Sequence, residues 1–139
     1  MVKQIFVNLP VRNLKRSMAF FSALGFRFDK EFTDKNATCM VIGRNMYAML
    51  LVEKFFKGFI KKKGLVNAKK AAEVITALQV GSRSEVDKLV KKAVRAGAKA
   101  NKPYEYGSWM YGCSLQDLDG HIWEFFFMDV VKMRKEQKK

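Results

Sequence analysis

The sequence is poor in the residues from which disulfides and metal sites are built. It contains two cysteines, Cys39 and Cys113, and a single histidine, His121. Cysteines so far apart match no zinc-binding spacing, and we expect free thiols in a reducing cytoplasm. The N-terminal residues lack the pattern of a secretory signal peptide and lead straight into a predicted strand, which supports the same expectation of a cytoplasmic protein.

Long apolar runs and acidic residues are also scarce. No apolar run approaches the roughly 20 residues that cross a bilayer, so we expect no membrane partner. The formal net charge is +14, from 27 basic and 13 acidic residues, which raises the possibility of nucleic acid or another polyanion. However, the basic residues stand in short groups such as Lys61-Lys62-Lys63, and no recognised nucleic-acid module accompanies them. We interpret them as solvated surface, with polyanion binding by the tail 132–139 as an open alternative.

The composition is that of a globular protein. Hydrophobic residues make up 49% of the chain and charged residues 29%, which excludes a disordered chain. The length of 139 residues fits one domain, or two small half-domains that share a core.

The first half of the chain predicts a β-α-β-β-β order. Residues 4–10 predict a strand, and an apolar stripe that follows Asn13 predicts a helix ending at Gly25. Further strands are predicted over residues 26–32, 37–42 and 46–53. A short amphipathic helix is then indicated by Phe55, Phe56, Phe59 and Ile60.

The second half predicts the same order again. Residues 73–80 predict a strand, and a helix follows that is capped by Ser82 or Ser84. This helix carries its apolar residues at helical spacing and ends at Gly97: Val86, Leu89, Val90, Ala93 and Val94. Strands are predicted over residues 98–101, 109–116 and 121–128, with a loop over 103–108.

The repeated order predicts an α+β fold built from two β-α-β-β-β modules. The predicted modules span residues 1–60 and 73–131. Residues 61–72 are the predicted connector, and residues 132–139 are a basic C-terminal tail.

Glu124 is the one carboxylate within the apolar and aromatic final strand. The strand follows a turn at residues 117–120, whose acidic side chains and glycine tolerate the bend. Burying a charge costs several kcal/mol unless the charge is paired, hydrated or bound to a cation. We therefore expect Glu124 to face a polar cavity or to pair with a basic group, and it is our candidate catalytic residue.

Two stretches carry a family resemblance. Residues 6–17 and 20–26, the latter Phe-Phe-Ser-Ala-Leu-Gly-Phe, are similar to the opening strand and helix of a known superfamily. Residues 117–124, Asp-Leu-Asp-Gly-His-Ile-Trp-Glu, are similar to its closing D-P-D-G-x-x-x-E motif. The chain thus resembles, over nearly its whole length, the glyoxalase/bleomycin resistance/dioxygenase superfamily of vicinal oxygen chelate proteins, including its predicted lactoylglutathione lyase-like members. The resemblance implies that the sheets of the two modules form a curved cleft, usually completed in a homodimer and in many members holding a divalent metal.

The resemblance places the metal ligands at Phe6, at or beside Leu50, at Ile75 and at Glu124. The side chains of phenylalanine, leucine and isoleucine have no lone pair to donate, so the usual ligand set is incomplete. His121 lies three residues before Glu124 in a predicted strand and points to the opposite face. We therefore expect no cofactor and no metal ligands, with an atypical divalent metal as an open alternative.

The residues favour a glyoxalase-like protein that binds a small organic molecule in its cleft without the usual tightly held metal. Besides Glu124, the candidate ligand-binding residues are Phe6, Asn8, Leu50, Trp109, Met110 and Tyr111. Further aromatic candidates near the mouth are Tyr47, Tyr104 and Tyr106.

Two other functions remain open. One is a lactoylglutathione lyase-like or other vicinal-oxygen-chelate enzyme that uses Glu124 with an atypical metal site. The other is drug sequestration, as in bleomycin-binding relatives, although the positive charge of the chain repels a cationic drug.

Overall fold

The computed structural model describes residues 1–61 and 63–138. Lys62 of the predicted connector and Lys139 of the predicted basic tail lie outside the described residues. The chain divides into two compact units, Met1–Asn67 and Ala68–Lys139. Each unit contains its own sheet, and the mixed α+β architecture confirms the predicted fold class.

The first unit contains the predicted β-α-β-β-β order. Its elements are β1 (Ile5–Val11), α1 (Leu14–Ala23), β2 (Arg27–Asp29), a 3-10 helix (Lys30–Phe32), β3 (Ala37–Gly43), β4 (Met46–Val52) and α2 (Glu53–Ile60). The strand order is β1-β4-β3-β2; β1 runs parallel to β4, and the other pairs are antiparallel.

Local chemistry determines the ends of these elements. The side chain of Asn13 accepts a hydrogen bond from the backbone N–H of Arg16 and begins α1, and Gly25 follows the helix with a φ of +101°. The prediction of a strand over residues 26–32 was wrong beyond Asp29. The Asp29 side chain accepts a bond from the backbone N–H of Glu31 and starts a 3-10 helix there instead.

The first sheet has two different faces. Alternate residues of β4, Ala48 and Leu50, are fully buried on the face that carries the core of the unit, together with Phe20 and Phe21 of α1. The other face carries several side chains that are at least partly accessible to solvent. We call this face the open face of the first sheet. Its members are Phe6, Asn8, Tyr47 and Met49.

The second unit repeats the order with one added strand. Its elements are β5 (Ile75–Gln79), α3 (Arg83–Arg95), β6 (Lys99–Ala100), β7 (Tyr104–Tyr106), β8 (Met110–Gln116), β9 (Ile122–Met128) and α4 (Val130–Gln137). The strand order is β5-β9-β8-β6, with β7 also paired to β8. The prediction of a loop over residues 103–108 was wrong at Tyr104–Tyr106, which pairs antiparallel with β8.

The core of the second unit lies between α3 and one face of its sheet. Trp123 and Phe125 of β9 are buried there, as are Val86 and Ala93 of α3. Val94, which was predicted on the same helix face, is 49% exposed and does not belong to the core. Ser82, rather than Ser84, caps α3 through a bond from the N–H of Glu85.

The C-terminal helix α4 takes up most of the residues predicted as a basic tail. Asp129 caps this helix by accepting a bond from the backbone N–H of Lys132. In the described part of the chain, no helix has the length and apolar character that crossing a membrane requires.

Candidate functional site

Glu124 lies on the face of the second sheet that α3 does not cover. In the register of the sheet it stands between Ala77 of β5 and Ser114 of β8. Its neighbours in β9, Trp123 and Phe125, point to the opposite face and are buried. We call the surface around Glu124 the open face of the second sheet. Its members are Ile75, Ala77, Tyr104, Met110, Gly112, Ser114, Ile122, Glu124 and Phe126.

The partner of Glu124 is a phenol. The hydroxyl of Tyr104 donates a hydrogen bond of 2.5 Å to Glu124 Oε1, and the bond is partly buried. Of the two expected surroundings of Glu124, a polar cavity or a basic group, the hydrogen bond supplies a polar but uncharged partner, and the ion pairs Arg12–Glu53 and Arg83–Glu105 do not involve Glu124. Burial, and then the bond to Glu124, raise the pKa of Tyr104 above its ordinary value, so the phenol keeps its proton and donates at neutral pH.

Gly112 makes room for this bond. Tyr104 pairs with Gly112 in the β7–β8 ladder, and its ring lies over the glycine. A Cβ atom at position 112 would stand 2.7 Å from the Tyr104 hydroxyl oxygen and 2.9 Å from the ring carbon that carries it. The missing side chain therefore lets the phenol reach across β8 to Glu124. The sequence signal for this partnership is an aromatic residue paired with a glycine, which cannot be recognised before the β7–β8 register is known.

The turn before β9 is organised by Asp117. Its Oδ1 accepts bonds from the backbone N–H groups of Asp119 at 2.9 Å and His121 at 3.0 Å, and its Oδ2 accepts a bond from Trp123 Nε1 at 2.9 Å. Burial raises the pKa of Asp117, while nearby His121 and the bond from Trp123 oppose the shift. This network sets the start of β9 and thereby the direction in which Glu124 points.

The predicted residues of the second unit do not all share the surface of Glu124. Met110 does, since it pairs with Met128 on the same face of the sheet. Trp109 precedes β8 in a turn, where its ring packs edge-to-face on Tyr106 at 5.5 Å and its carbonyl accepts a bond from the N–H of Asp129.

Tyr111 points away from Glu124. Its hydroxyl donates a 2.5 Å bond to Asp87 of α3, and the Arg83 guanidinium lies 5.2 Å from its ring centre. The bond to Asp87, and then burial, raise the pKa of Tyr111 to about 12. Tyr111 therefore connects α3 to β8 on the core side of the sheet.

The predicted residues of the first unit also divide between two faces. Phe6 and Asn8 lie on the open face of the first sheet, and the Phe6 ring stacks on Tyr47 with a centroid distance of 4.8 Å. Leu50 is 1% exposed and lies on the opposite, core face, so it shares no surface with Phe6 and Asn8. The residue beside Asn8 on the open face is Met49.

The donor atoms do not fit the divalent metal that the resemblance implies. Within residues 1–61 and 63–138, no three side chains of His, Cys, Asp or Glu come together in a group that could hold a metal ion. Ile75 pairs with Ile122 in the β5–β9 ladder and brings no donor atom to the surface of Glu124. We therefore derive no chemical step through a metal.

The N-terminal part of the chain matches a known family model. Residues 3–43 match the bleomycin resistance protein-like N-terminal family, and this segment includes β1, α1, β2 and β3. Among curated proteins, none matches the chain.

Solved structures match the chain over most of its length. A hypothetical protein, SA1046 from S. aureus, is 29% identical, with a TM-score of 0.77 and coverage of 91% of this chain and 94% of that chain. A glyoxalase/bleomycin resistance protein/dioxygenase family enzyme from Burkholderia phytofirmans is 19% identical, with a TM-score of 0.73 and coverage of 89% and 97%. The bleomycin resistance determinant encoded on transposon Tn5 is 18% identical, with a TM-score of 0.65 and coverage of 92% and 99%. The chain thus has the glyoxalase/bleomycin resistance fold, and its residues 3–43 match the bleomycin resistance protein-like N-terminal family.

Proposed function

We propose that the protein binds a small organic molecule on the open face of the second sheet, with Glu124 as the hydrogen-bond acceptor and without the usual tightly held metal. The observation that carries this proposal is the bond from Tyr104 to Glu124. A carboxylate offers about four lone-pair sites, and the phenol uses one of them. The remaining sites suit a ligand that donates a hydrogen bond from a hydroxyl, amide or amine group.

The surroundings of Glu124 favour a ligand with an apolar body. Ala77 stands beside the carboxylate, and Ile75 of the same face is 58% exposed. A few polar groups placed in an otherwise apolar surface are typical of small-molecule sites, where the apolar area supplies affinity and the polar groups set orientation.

The proposal is tested by a ligand screen combined with Glu→Gln substitutions, which remove the charge but keep the shape of the side chain. We would screen neutral hydroxyl- and amide-bearing molecules by thermal shift, and measure the hits by calorimetry on wild type and on E124Q. A hydrogen bond to a charged group contributes roughly 1.5–3 kcal/mol, so E124Q is expected to weaken binding about tenfold or more. Glu73→Gln, at an exposed carboxylate in the same unit, is the matched control. Hits that bind wild type and E124Q equally would place the site elsewhere.

A second candidate is a lactoylglutathione lyase-like or other vicinal-oxygen-chelate enzyme with an atypical metal site. It is favoured by the position of Glu124, which coincides with the last metal ligand implied by the resemblance. Calorimetric titration with Ni²⁺, Zn²⁺ and Mn²⁺ separates the two candidates. Stoichiometric binding that is lost in E124Q would favour the enzyme, whereas ligand binding in metal-free protein favours the first proposal.

We also propose that the protein is a cytoplasmic homodimer. Each unit exposes large apolar side chains on its first strand, Ile5 and Phe6 in β1 and Ile75 in β5, which a second copy could cover. The buried free thiols of Cys39 and Cys113 agree with a reducing compartment. Light scattering coupled to gel filtration measures the mass, and a monomer at micromolar concentration would contradict the dimer.

A further inference from the structure

The first unit has a surface pocket next to α2, and none of its lining residues belongs to the open face of either sheet. Its volume is about 520 Å³, which lies within the range of small-molecule sites. It lies between α2 and the turn that precedes β3. The lining residues are Lys35, Asn36, Val52, Lys54, Phe55, Gly58 and Phe59.

One wall of the pocket is aromatic and exposed to solvent. Phe55 and Phe59 lie one turn apart on α2, and their rings meet edge-to-face at a centroid distance of 5.1 Å. Their exposed fractions are 38% and 67%, and α2 has no fully buried side chain. Two phenyl rings kept together in water form an apolar surface that gains free energy when a ligand covers it.

Two of the other lining residues are basic. Lys35 approaches from the turn before β3, and Lys54 comes from the first turn of α2. Among the described lining residues none is acidic, and Glu53 beside the pocket is paired with Arg12 at 3.6 Å. The pocket therefore joins two positive charges to an aromatic wall.

The walls of the pocket are held by the backbone. The N–H of Val52, the last residue of β4, donates a 2.9 Å bond to the carbonyl of Asn36, which joins the turn to the start of α2. The side chain of Asp34 accepts bonds from the N–H groups of Asn36 and Ala37 and so shapes the same turn. These bonds fix the backbone on two sides of the pocket, which reduces the ordering cost of binding.

We infer that this pocket is a second binding site, which takes an amphiphilic organic anion such as an aliphatic carboxylate. Lys35 and Lys54 hold the anionic head group, and Phe55 and Phe59 cover the apolar body. The high positive charge of the chain attracts such anions at long range, while the pocket selects those with an apolar body. Its lining residues differ from those of the proposed site at Glu124, whose carboxylate disfavours anionic ligands.

The test uses octanoate and two analogues of the same chain length, uncharged 1-octanol and cationic octylammonium. Binding of octanoate, 1-octanol and octylammonium would be measured by calorimetry and by amide shifts in ¹H–¹⁵N spectra of the full chain. We expect octanoate to bind more tightly than both analogues and to shift the amides of Phe55, Gly58 and Phe59. Equal binding of 1-octanol, or amide shifts confined to residues outside the lining, would overturn the inference.

Paired substitutions separate the pocket from general surface attraction. Because the Phe59 ring covers the apolar body of the ligand, F59A is expected to weaken octanoate binding about tenfold. K54Q is expected to weaken it only about threefold, because a solvent-exposed charge pair contributes little to affinity. The controls are K57Q, at an exposed lysine of α2 outside the lining, and F32A, at a phenylalanine that is 62% exposed outside the lining. All four side chains are exposed, so the variants are expected to fold. If K57Q and K54Q lost the same octanoate affinity, the binding would be nonspecific attraction to positive charge, and the inference would be overturned.

Discussion

The Tyr104 hydroxyl and the Glu124 carboxylate are joined by a 2.5 Å hydrogen bond that spans β8 and connects β7 to β9. The bond satisfies a carboxylate in an apolar strand without any basic side chain. It also holds β7, a strand of three residues, against the rest of the sheet. Both consequences can be tested by substitution.

Removing the phenol oxygen is expected to destabilise the fold. In Tyr104→Phe the carboxylate loses its partner, and we expect the free energy of unfolding to fall by about 1 kcal/mol, because the bond is charge-assisted but only partly buried. Urea unfolding measures the change. Tyr106→Phe is the matched control, since Tyr106 lies in the same strand and is 65% exposed. Equal losses of unfolding free energy in the two variants would contradict a stabilising role for the bond.

A side chain at Gly112 is expected to break the same bond indirectly. In Gly112→Ala the new methyl group would lie 2.7 Å from the Tyr104 hydroxyl oxygen, so the ring must move away from Glu124. We expect a loss of about 1–3 kcal/mol, as is usual when extra volume is forced into a packed region.

A double-mutant cycle identifies the cause of that loss. If the clash with Tyr104 is responsible, Gly112→Ala should cost less in a Tyr104→Ala background than in wild type. Gly58→Ala in helix α2 is the control, because its added Cβ would have no atom within 4 Å other than its chain neighbours and the backbone of the helix itself. It should be neutral or stabilising by up to roughly 1 kcal/mol. An equal cost of Gly112→Ala in both backgrounds would mean that Tyr104 is not the obstacle.

Asp117 is expected to need both of its oxygens. In Asp117→Asn one oxygen becomes an NH₂ group, which cannot accept the bond that Trp123 donates to Oδ2 while Oδ1 keeps its two backbone bonds. An unsatisfied buried donor costs about 1–3 kcal/mol, and we expect a loss of unfolding free energy in that range.

The control for Asp117 is Asp34→Asn. A single oxygen of Asp34 accepts both of its backbone bonds, so an asparagine can keep them, and we expect little change. Thermal unfolding followed by circular dichroism measures both variants. Similar losses in the two variants would contradict the role assigned to the second oxygen of Asp117.

The two bonded tyrosines are expected to make the fold sensitive to alkali. Unfolded tyrosines lose their proton near pH 10, whereas native Tyr111 keeps it up to about pH 12 and the pKa of Tyr104 is also raised. Between these values the folded chain binds more protons than the unfolded chain, so stability falls as the pH rises. Below pH 10 the contribution is complete.

The pH dependence is measured by urea unfolding at pH 9, 10 and 11. The stability difference between wild type and the double variant Tyr104→Phe/Tyr111→Phe should shrink over this interval, because the variant has no phenol to ionise at these positions. Lysines also titrate in this range, but they are common to both proteins and cancel in the difference. A difference that stays constant with pH would contradict the assignment.

Local sequence signals predicted most of the fold. Asn13 and Ser82 mark helix starts because a capping side chain bonds to the backbone only three residues away. The turn at residues 117–120 follows from short acidic side chains and a glycine, and it was predicted for the same local reason. The resemblance at the two ends of the chain agreed with this order of elements.

The site was predicted less completely because it depends on pairing between strands. Strand register places Leu50 and Tyr111 on core faces, and a shift of one residue would have placed them on the open faces. Tyr104 of β7 bonds to Glu124 across Gly112, and these two bonded residues lie 20 positions apart in the sequence.

The sequence by itself determined the α+β class, the repeated order of elements and the small number of histidines and cysteines. Composition is read directly from the chain, and the periodicity that predicts helices and strands acts within a few residues. Only the tertiary structure decided which side chains meet, and that a phenol rather than a cation satisfies Glu124. Strand register and packing bring together residues that are far apart in the sequence, and a local sequence pattern does not predict such contacts.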